Sequence, residues 1–194
     1  MAKEGIIYFQ DGKLVAEHGK AKVYHMNEEL FLEIGPGHTL WALESEISDY
    51  IDQLQDLPRG NVLEIGLGLG VISRYMLTFP RVEHLITIEV ESDVIEVHKK
   101  IPEELRGVKM DYHPEKHRIL NADGLSYAYQ TKQRYDFIFI DCYDRIDEET
   151  LPMIADMTAA CSRLLTPKGI MMGWLDKSTP AEHFDLFQRI FDQY

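Results

Sequence analysis

The chain has 194 residues and a mass of 22.5 kDa. That is room for one ordinary domain with a full core and no disulfide or metal staples. Its 45% apolar and 10% aromatic side chains exclude disordered, collagen-like and coiled-coil classes. Lys plus Arg number 20 and Asp plus Glu 33, a net charge of −13. This argues against gripping a phosphate backbone, so no nucleic-acid partner is expected, whereas a cationic substrate is compatible.

Two cysteines, Cys142 and Cys161, make no disulfide framework and fit a reducing compartment. Met1-Ala2-Lys3-Glu4-Gly5 has an acid and a glycine where a signal peptide would begin its apolar stretch. No apolar run approaches the roughly 20 residues that span a bilayer. The expectation is a cytoplasmic protein with no membrane partner.

Two regions meet near Leu57-Pro58-Arg59-Gly60. In the first, Ile6 to Phe9 is β-prone and Asp11-Gly12 is a hairpin turn signal. Leu14 to Ala16, Lys22 to Tyr24 and Phe31 to Ile34 read as further short strands. Leu40, Leu43, Ile47, Ile51 and Leu54 then recur at steps of three and four, which predicts a helix with Thr39 as N-cap.

The second region alternates strand and helix. Strands are expected at Asn61 to Ile65, Leu85 to Val90, Arg118 to Leu120, Tyr135 to Ile140 and Gly169 to Trp174. Helical spacing links Val71, Ile72, Tyr75 and Met76, then Val94, Val97 and Ile101, then Ile154, Met157, Cys161 and Leu164 or Leu165. Phe184, Phe187 and Phe191 face one side of a last helix, opened by Thr179 as N-cap and Pro180 as first residue. The alternation predicts an α/β fold, a doubly wound, mostly parallel sheet with right-handed crossovers. Ligands of such sheets bind beyond the strands' C-terminal ends, where strand order reverses.

The residues after the strands are therefore the candidates. Glu64-Ile65-Gly66-Leu67-Gly68-Leu69-Gly70 follows the first. Its spacing is G-x-G-x-G rather than the dinucleotide G-x-G-x-x-G, and Glu64 stands close by, so a diphosphate is a poor fit. Glu89 ends the second strand about 20 residues further on, where an acid accepts ribose hydroxyls; a solvated surface acid is the alternative. Asp123-Gly124 follows the third strand, as a simple turn or as the acceptor of an adenine amine. Asp141-Cys142-Tyr143-Asp144 follows the fourth. Its carboxylates can orient an amine, take its proton or hold a metal, and a helix cap suits Asp144 or Asp147. The eight histidines show no H-x-x-x-H spacing, so no zinc site is expected.

Together, Val62 to Gly70, Glu89, Asp123-Gly124 and Asp141 resemble the class I S-adenosylmethionine-dependent methyltransferases, from about Gly60 to the end of the chain. The resemblance implies their Rossmann-like sheet, here with an N-terminal β-hairpin and helix extension and without the terminal strand hairpin. It places Glu64, Gly66, Gly68 and Gly70 at the methionine part of S-adenosylmethionine. Glu89 and Val90 fall at the ribose, Asp123 and Gly124 at the adenine, and Asp141 near the sulfonium.

Within that superfamily the spermidine synthases look similar in Phe9 to Leu14, Ile88-Glu89, Asp123-Gly124 and Asp141-Cys142-Tyr143-Asp144, which is similar to their D-S-S-D motif. Asp144 would match their proton-accepting Asp. Their glycine loop usually reads G-G-G-D-G, and its Asp, which helps select decarboxylated S-adenosylmethionine, is Leu69 here. The guanidinoacetate methyltransferases are similar in Asp141-Cys142-Tyr143, Asp147 to Thr150 and Leu164-Leu165-Thr166-Pro167-Lys168-Gly169. Metal-dependent O-methyltransferases share Phe137 to Asp141 but normally add an Asp-Asn pair after the fifth strand, absent here, so no metal is expected.

The departure at Leu69 makes the leading expectation an S-adenosylmethionine-dependent methyltransferase acting on a small molecule, an amine by preference. An aminopropyltransferase using decarboxylated S-adenosylmethionine is the alternative, and a non-catalytic S-adenosylmethionine-binding protein is a second. Asp141 would orient acceptor or cofactor, Asp144 accept a proton, and Tyr143 flank a cation with its ring. Residues 1–58 form the expected acceptor-side extension, with Tyr24, His25, His38 and Trp41 as lining or packing residues. Residues 59–194 form the expected cofactor-binding domain. The open sheet edge beside the fifth strand predicts cover by the N-terminal strands or a second subunit, hence a homo-oligomer.

Overall fold

The computed structural model describes residues 12–35, 40–43, 54–55, 57–106, 113–143, 145–175 and 179–194. The Ile6 to Phe9 strand, Asp11, Thr39 and most of the predicted helix between Leu40 and Leu54 lie outside them, as do His38 and Asp144.

The chain opens with a four-stranded antiparallel meander in the order β1-β2-β3-β4: β1 Lys13–His18, β2 Ala21–Met26, β3 Glu29–Ile34 and β4 Leu40–Leu43. Gly19 turns β1 into β2 at φ 55°, where a side chain would meet the Asp93 carboxylate. Asn27 and Glu28 both take positive φ to turn β2 into β3, the backbone a tight hairpin requires.

Leu40 to Leu43 corrects the helix expected there. The segment is a strand, with Phe31 opposite Leu43 and Leu32 opposite Ala42. A Leu at each end of four residues suits a helix turn, but the apolar β3 beside it offers a ladder, and such pairing overrides local preference.

The second sheet has five parallel strands in the order β7-β6-β5-β8-β9. They are β5 Gly60–Ile65, β6 Val82–Glu89, β7 His117–Asn121, β8 Tyr135–Ile140 and β9 Leu165–Gly173. The helices between and after them are α1 Val71–Met76, α2 Ser92–Lys100, α3 Gly124–Gln130, α4 Leu151–Ser162 and α5 Ala181–Phe191. The strands and helices of this region occur in the expected order, with two corrections: α4 ends at Ser162 and Leu165 already begins β9, and Pro180 is the cap of α5 rather than its first residue.

Phe137, Ile138, Phe139 and Ile140 of central β8 are fully buried, which explains its unbroken apolar run. Asp136, its one polar residue, sits at the opposite end from the candidate site. It accepts hydrogen bonds from the Asn61 amide at 3.0 Å and the Thr166 hydroxyl at 2.9 Å.

The meander is not a separate body. Ala16, Ala21, Val23, Leu30, Leu32 and Ile34 share one apolar cluster with Val94, Val97 and Ile101 on and after α2, and with Leu67 and Leu69 of the glycine loop. Polar stitches reinforce it. The Lys20 amide donates to Asp93 at 3.0 Å, and the Lys20 ammonium lies 2.8 Å from Glu91. The Lys100 ammonium donates to the Glu17 carbonyl at 2.8 Å.

Candidate active site

Strand order reverses between β5 and β8: the chain steps outward from β5 through β6 to β7, then returns to lay down β8 and β9 on the other side. The crevice of such a sheet opens at that point, and the glycine loop leaves β5 there.

Backbone bonds tie the strand ends together. The Asp141 amide donates to the Ile65 carbonyl at 2.8 Å, and the Gly66 amide to Ile88 at 2.8 Å. Gly66 has φ 100°, and a side chain there would run into the Asp141 carbonyl. Only glycine accepts both conditions. Gly68 and Gly70 also take positive φ, 51° and 74°, and Gly70 backs onto the His98 ring. His98 is buried with Nδ1 3.1 Å from the Leu69 carbonyl. Burial, with the Arg106 charge added, pushes the ring down to about 3, so it is neutral at physiological pH.

Glu89 joins this loop to β6. It is 7% exposed, and the Leu67 amide donates to its Oε2 at 2.9 Å while the Glu91 amide donates to Oε1 at 2.8 Å. The solvated-acid alternative therefore fails for Glu89. Each carboxylate oxygen has capacity for a second donor, which is what a vicinal diol needs. Asn121, unforeseen from sequence, donates from Nδ2 to the carbonyls of Glu89 and Val90, 2.9 Å each, and fixes this turn. Its signal was its place at the end of β7. Val90 is exposed beyond the turn.

Asp123 caps α3, its Oδ1 accepting the Ser126 amide at 2.7 Å, which with the Ser126 side chain holds its carboxyl below the usual range. Gly124 behind it is buried against Ile65, which leaves no room for a side chain.

Asp141 is half-buried at the exit of β8, and Cys142 is exposed. Tyr143 is 9% exposed; its hydroxyl donates to the Trp174 carbonyl at 2.8 Å. Its ring meets Trp174 edge-on at 5.9 Å and Phe187 at 6.4 Å. Tyr143 thus ties the exits of β8 and β9 to α5. Asp147 does not cap α4, whose N-cap is Thr150; its carboxylate accepts the Glu149 and Thr150 amides at 3.0 Å each and closes the turn that leads into the helix. Tyr24 and His25 are half-buried on β2, and burial with the Glu33 carboxylate raises the Tyr24 phenol. The side chain of Trp41 lies outside the described residues.

Glu64 lies beneath the loop, 2% exposed. The Ser73 hydroxyl donates to its Oε2 in a very short bond, and the Thr87 hydroxyl donates to the same oxygen at 2.6 Å. Thr87 is also 2.7 Å from His117 Nε2. Burial raises the Glu64 carboxyl to about 8 against the pull of the two hydroxyls, and the charges of Asp141 and Glu89 push the same way. Among the described residues no group of three His, Cys, Asp or Glu is arranged to hold a metal, and no helix is long and apolar enough to cross a membrane.

The switch point, the glycine loop and the carboxylates at the strand exits define a Rossmann-like α/β fold of the methyltransferase type. A model of the spermine/spermidine synthase domain matches residues 53–191, and the chain belongs to that family. It is 32% identical over 133 residues to a polyamine aminopropyltransferase of Prochlorococcus marinus, covering 68% of this chain and 44% of that protein. It is 29% identical over 130 residues to one of Methanocaldococcus jannaschii, covering 67% and 43%. The chain thus spans less than half the length of the curated relatives it matches. The fold is like that of spermidine synthase from Thermotoga maritima, with TM-score 0.66, 22% identity and coverage of 89% of this chain and 59% of that one. A spermidine synthase in complex with the transition state analogue AdoDATO gives TM-score 0.67 at 22% identity over the same shares.

The family match overturns methyl transfer as the leading reading, and with it the weight placed on Leu69. The structure supplies the physical reason. Leu69 is 4% exposed and packs under the meander, in the cluster of Ala16, Leu30 and Val94. An apolar residue there reports the packing of loop against sheet, not the charge of the ligand.

Proposed function

We propose that this chain carries out aminopropyl transfer from decarboxylated S-adenosylmethionine to a small amine. The match of the spermine/spermidine synthase domain to residues 53–191 carries this reading. The substrate supplies a carbon activated by an adjacent sulfonium and a thioether leaving group. The residues of the chain hold, orient and deprotonate.

The buried Glu89, its two oxygens steadied by the Leu67 and Glu91 amides, suits ribose hydroxyls. Asp123 and Gly124 suit the adenine edge, and the loop from Gly66 to Gly70 suits the chain leading to sulfur. Asp141 binds the ammonium form of the acceptor and aligns it for in-line attack, a positioning effect that can contribute several kcal/mol. Asp144 takes the proton that the amine nitrogen must lose. Residues 1–58 provide the acceptor side, which the seating of the meander on the loop at Leu67 and Leu69 supports, and a contact between subunits of a homo-oligomer.

Calorimetry tests the substrate class. Decarboxylated S-adenosylmethionine is expected to bind at least tenfold more tightly than S-adenosylmethionine. The reverse preference would contradict the proposal.

A further inference from the structure

Glu64 is a buried acid two residues before the glycine loop, and its polar contacts explain what it does there. Both hydrogen bonds, from Ser73 on α1 and Thr87 on β6, end on Oε2. Both are hydroxyl donors rather than cations. With Thr87 donating to Glu64, the Thr87 oxygen accepts from His117 Nε2 on β7, so a three-residue chain runs His117, Thr87, Glu64 across the sheet.

The charged groups facing Glu64 are Glu89 from the end of β6 and Asp141 from the exit of β8, both acids. From β8 itself the neighbour in register is the apolar Phe139. Arg74, next to Ser73 on α1, is turned away and pairs with Glu103. His117 is held to about 4 by burial, so it is neutral at physiological pH and donates one N–H.

We propose that Glu64 is a proton-releasing counter-charge for the loop: seating a cationic ligand over Gly66 to Gly70 ionises it, its carboxyl O–H bond breaking and the proton passing to solvent. The inference rests on the reading that this loop seats a cationic adenosyl substrate. Geometry favours it because two hydroxyls already point at the oxygen that gains the charge. Ionisation then needs no rearrangement of donors, in surroundings where an extra negative charge is unfavourable until a positive one arrives. Burial places the empty-site carboxyl at about 8, so it is protonated at pH 7. Ligand affinity then rises with pH below 8, by up to about tenfold per pH unit.

Titration calorimetry on the full chain, in two buffers of different ionisation enthalpy, counts the protons. Two probes are used: decarboxylated S-adenosylmethionine, a cation, and 5′-methylthioadenosine, its neutral counterpart. At pH 7 the cation is expected to release close to one proton per site and the neutral thioether none. Release should vanish above pH 9. Glu64→Gln, checked for native fold by circular dichroism, should abolish the proton release that accompanies binding of the cation. If that variant does not fold, Thr87→Val, which removes one donor to the carboxylate, should move the release window to higher pH. Equal proton exchange for both probes, or release unchanged in Glu64→Gln, overturns the proposal and leaves the substrate reading standing. Binding of neither probe overturns both.

Discussion

Glu64 also predicts how this protein responds to pH. Its folded-state carboxyl sits at about 8 against an ordinary 4.5. Between those values the native protein holds a proton that the unfolded chain has lost. A raised acid therefore costs native stability progressively as pH climbs from about 4.5 to about 8. Glu64→Gln keeps the shape of the neutral carboxyl and removes that loss. Thermal unfolding without ligand should show Glu64→Gln gaining on wild type by about 3 kcal/mol between pH 5 and pH 8. A difference independent of pH would show that Glu64 is ionised in the native protein. The sequence marked Glu64 as an acid near the glycines and, by resemblance, as a residue at the methionine part of the cofactor. Its neutrality depends on Ser73, Thr87 and the field of Asp141 and Glu89, and only the fold brings these together.

At the scale of elements, the glycine loop carries the main lesson. Its strand-loop-helix form was legible because Gly66, Gly68 and Gly70 punctuate an apolar run, and the structure gives each a positive φ. The positions of Glu89, Asp123 and Asp141 at strand exits were legible for the same reason: alternating strands and helices prescribe a parallel sheet, and its exits follow. The partner of the loop was not legible. Leu69 lies at least 35 residues in sequence from the meander residues it packs against, Ala16 to Ile34, and nothing local reports such a contact. The same gap explains Leu40 to Leu43, where pairing with β3 decided the conformation. Leu69→Asp should therefore act as a core lesion rather than a change of substrate. It places a charge among Ala16, Leu30 and Val94, and denaturant unfolding should register a loss of about 3 kcal/mol or more. Unchanged stability with altered substrate preference would mean that the side chain faces the ligand.

At the scale of the whole molecule, the two sheets are joined by one apolar cluster that runs from the meander to the glycine loop. The parallel sheet sets the crevice at its β5/β8 switch point. The antiparallel meander braces the crevice from the side of Leu67 and Leu69, and α5 closes the opposite flank through Phe187 and Phe191 against Tyr143 and Gly173. Family membership rests on residues 53–191, which hold the parallel sheet and its helices. The proposed reaction is what remains to be measured. The most direct measurement incubates the full chain with decarboxylated S-adenosylmethionine and a panel of diamines that includes 1,4-diaminobutane, with mass-spectrometric detection of products. Aminopropyl transfer predicts an amine product heavier by one aminopropyl group and 5′-methylthioadenosine in equal amount. Asp141→Asn should reduce both at least about a hundredfold, in the range typical of proton-transfer and positioning groups. Absence of both products, or wild-type turnover in Asp141→Asn, would contradict the mechanism.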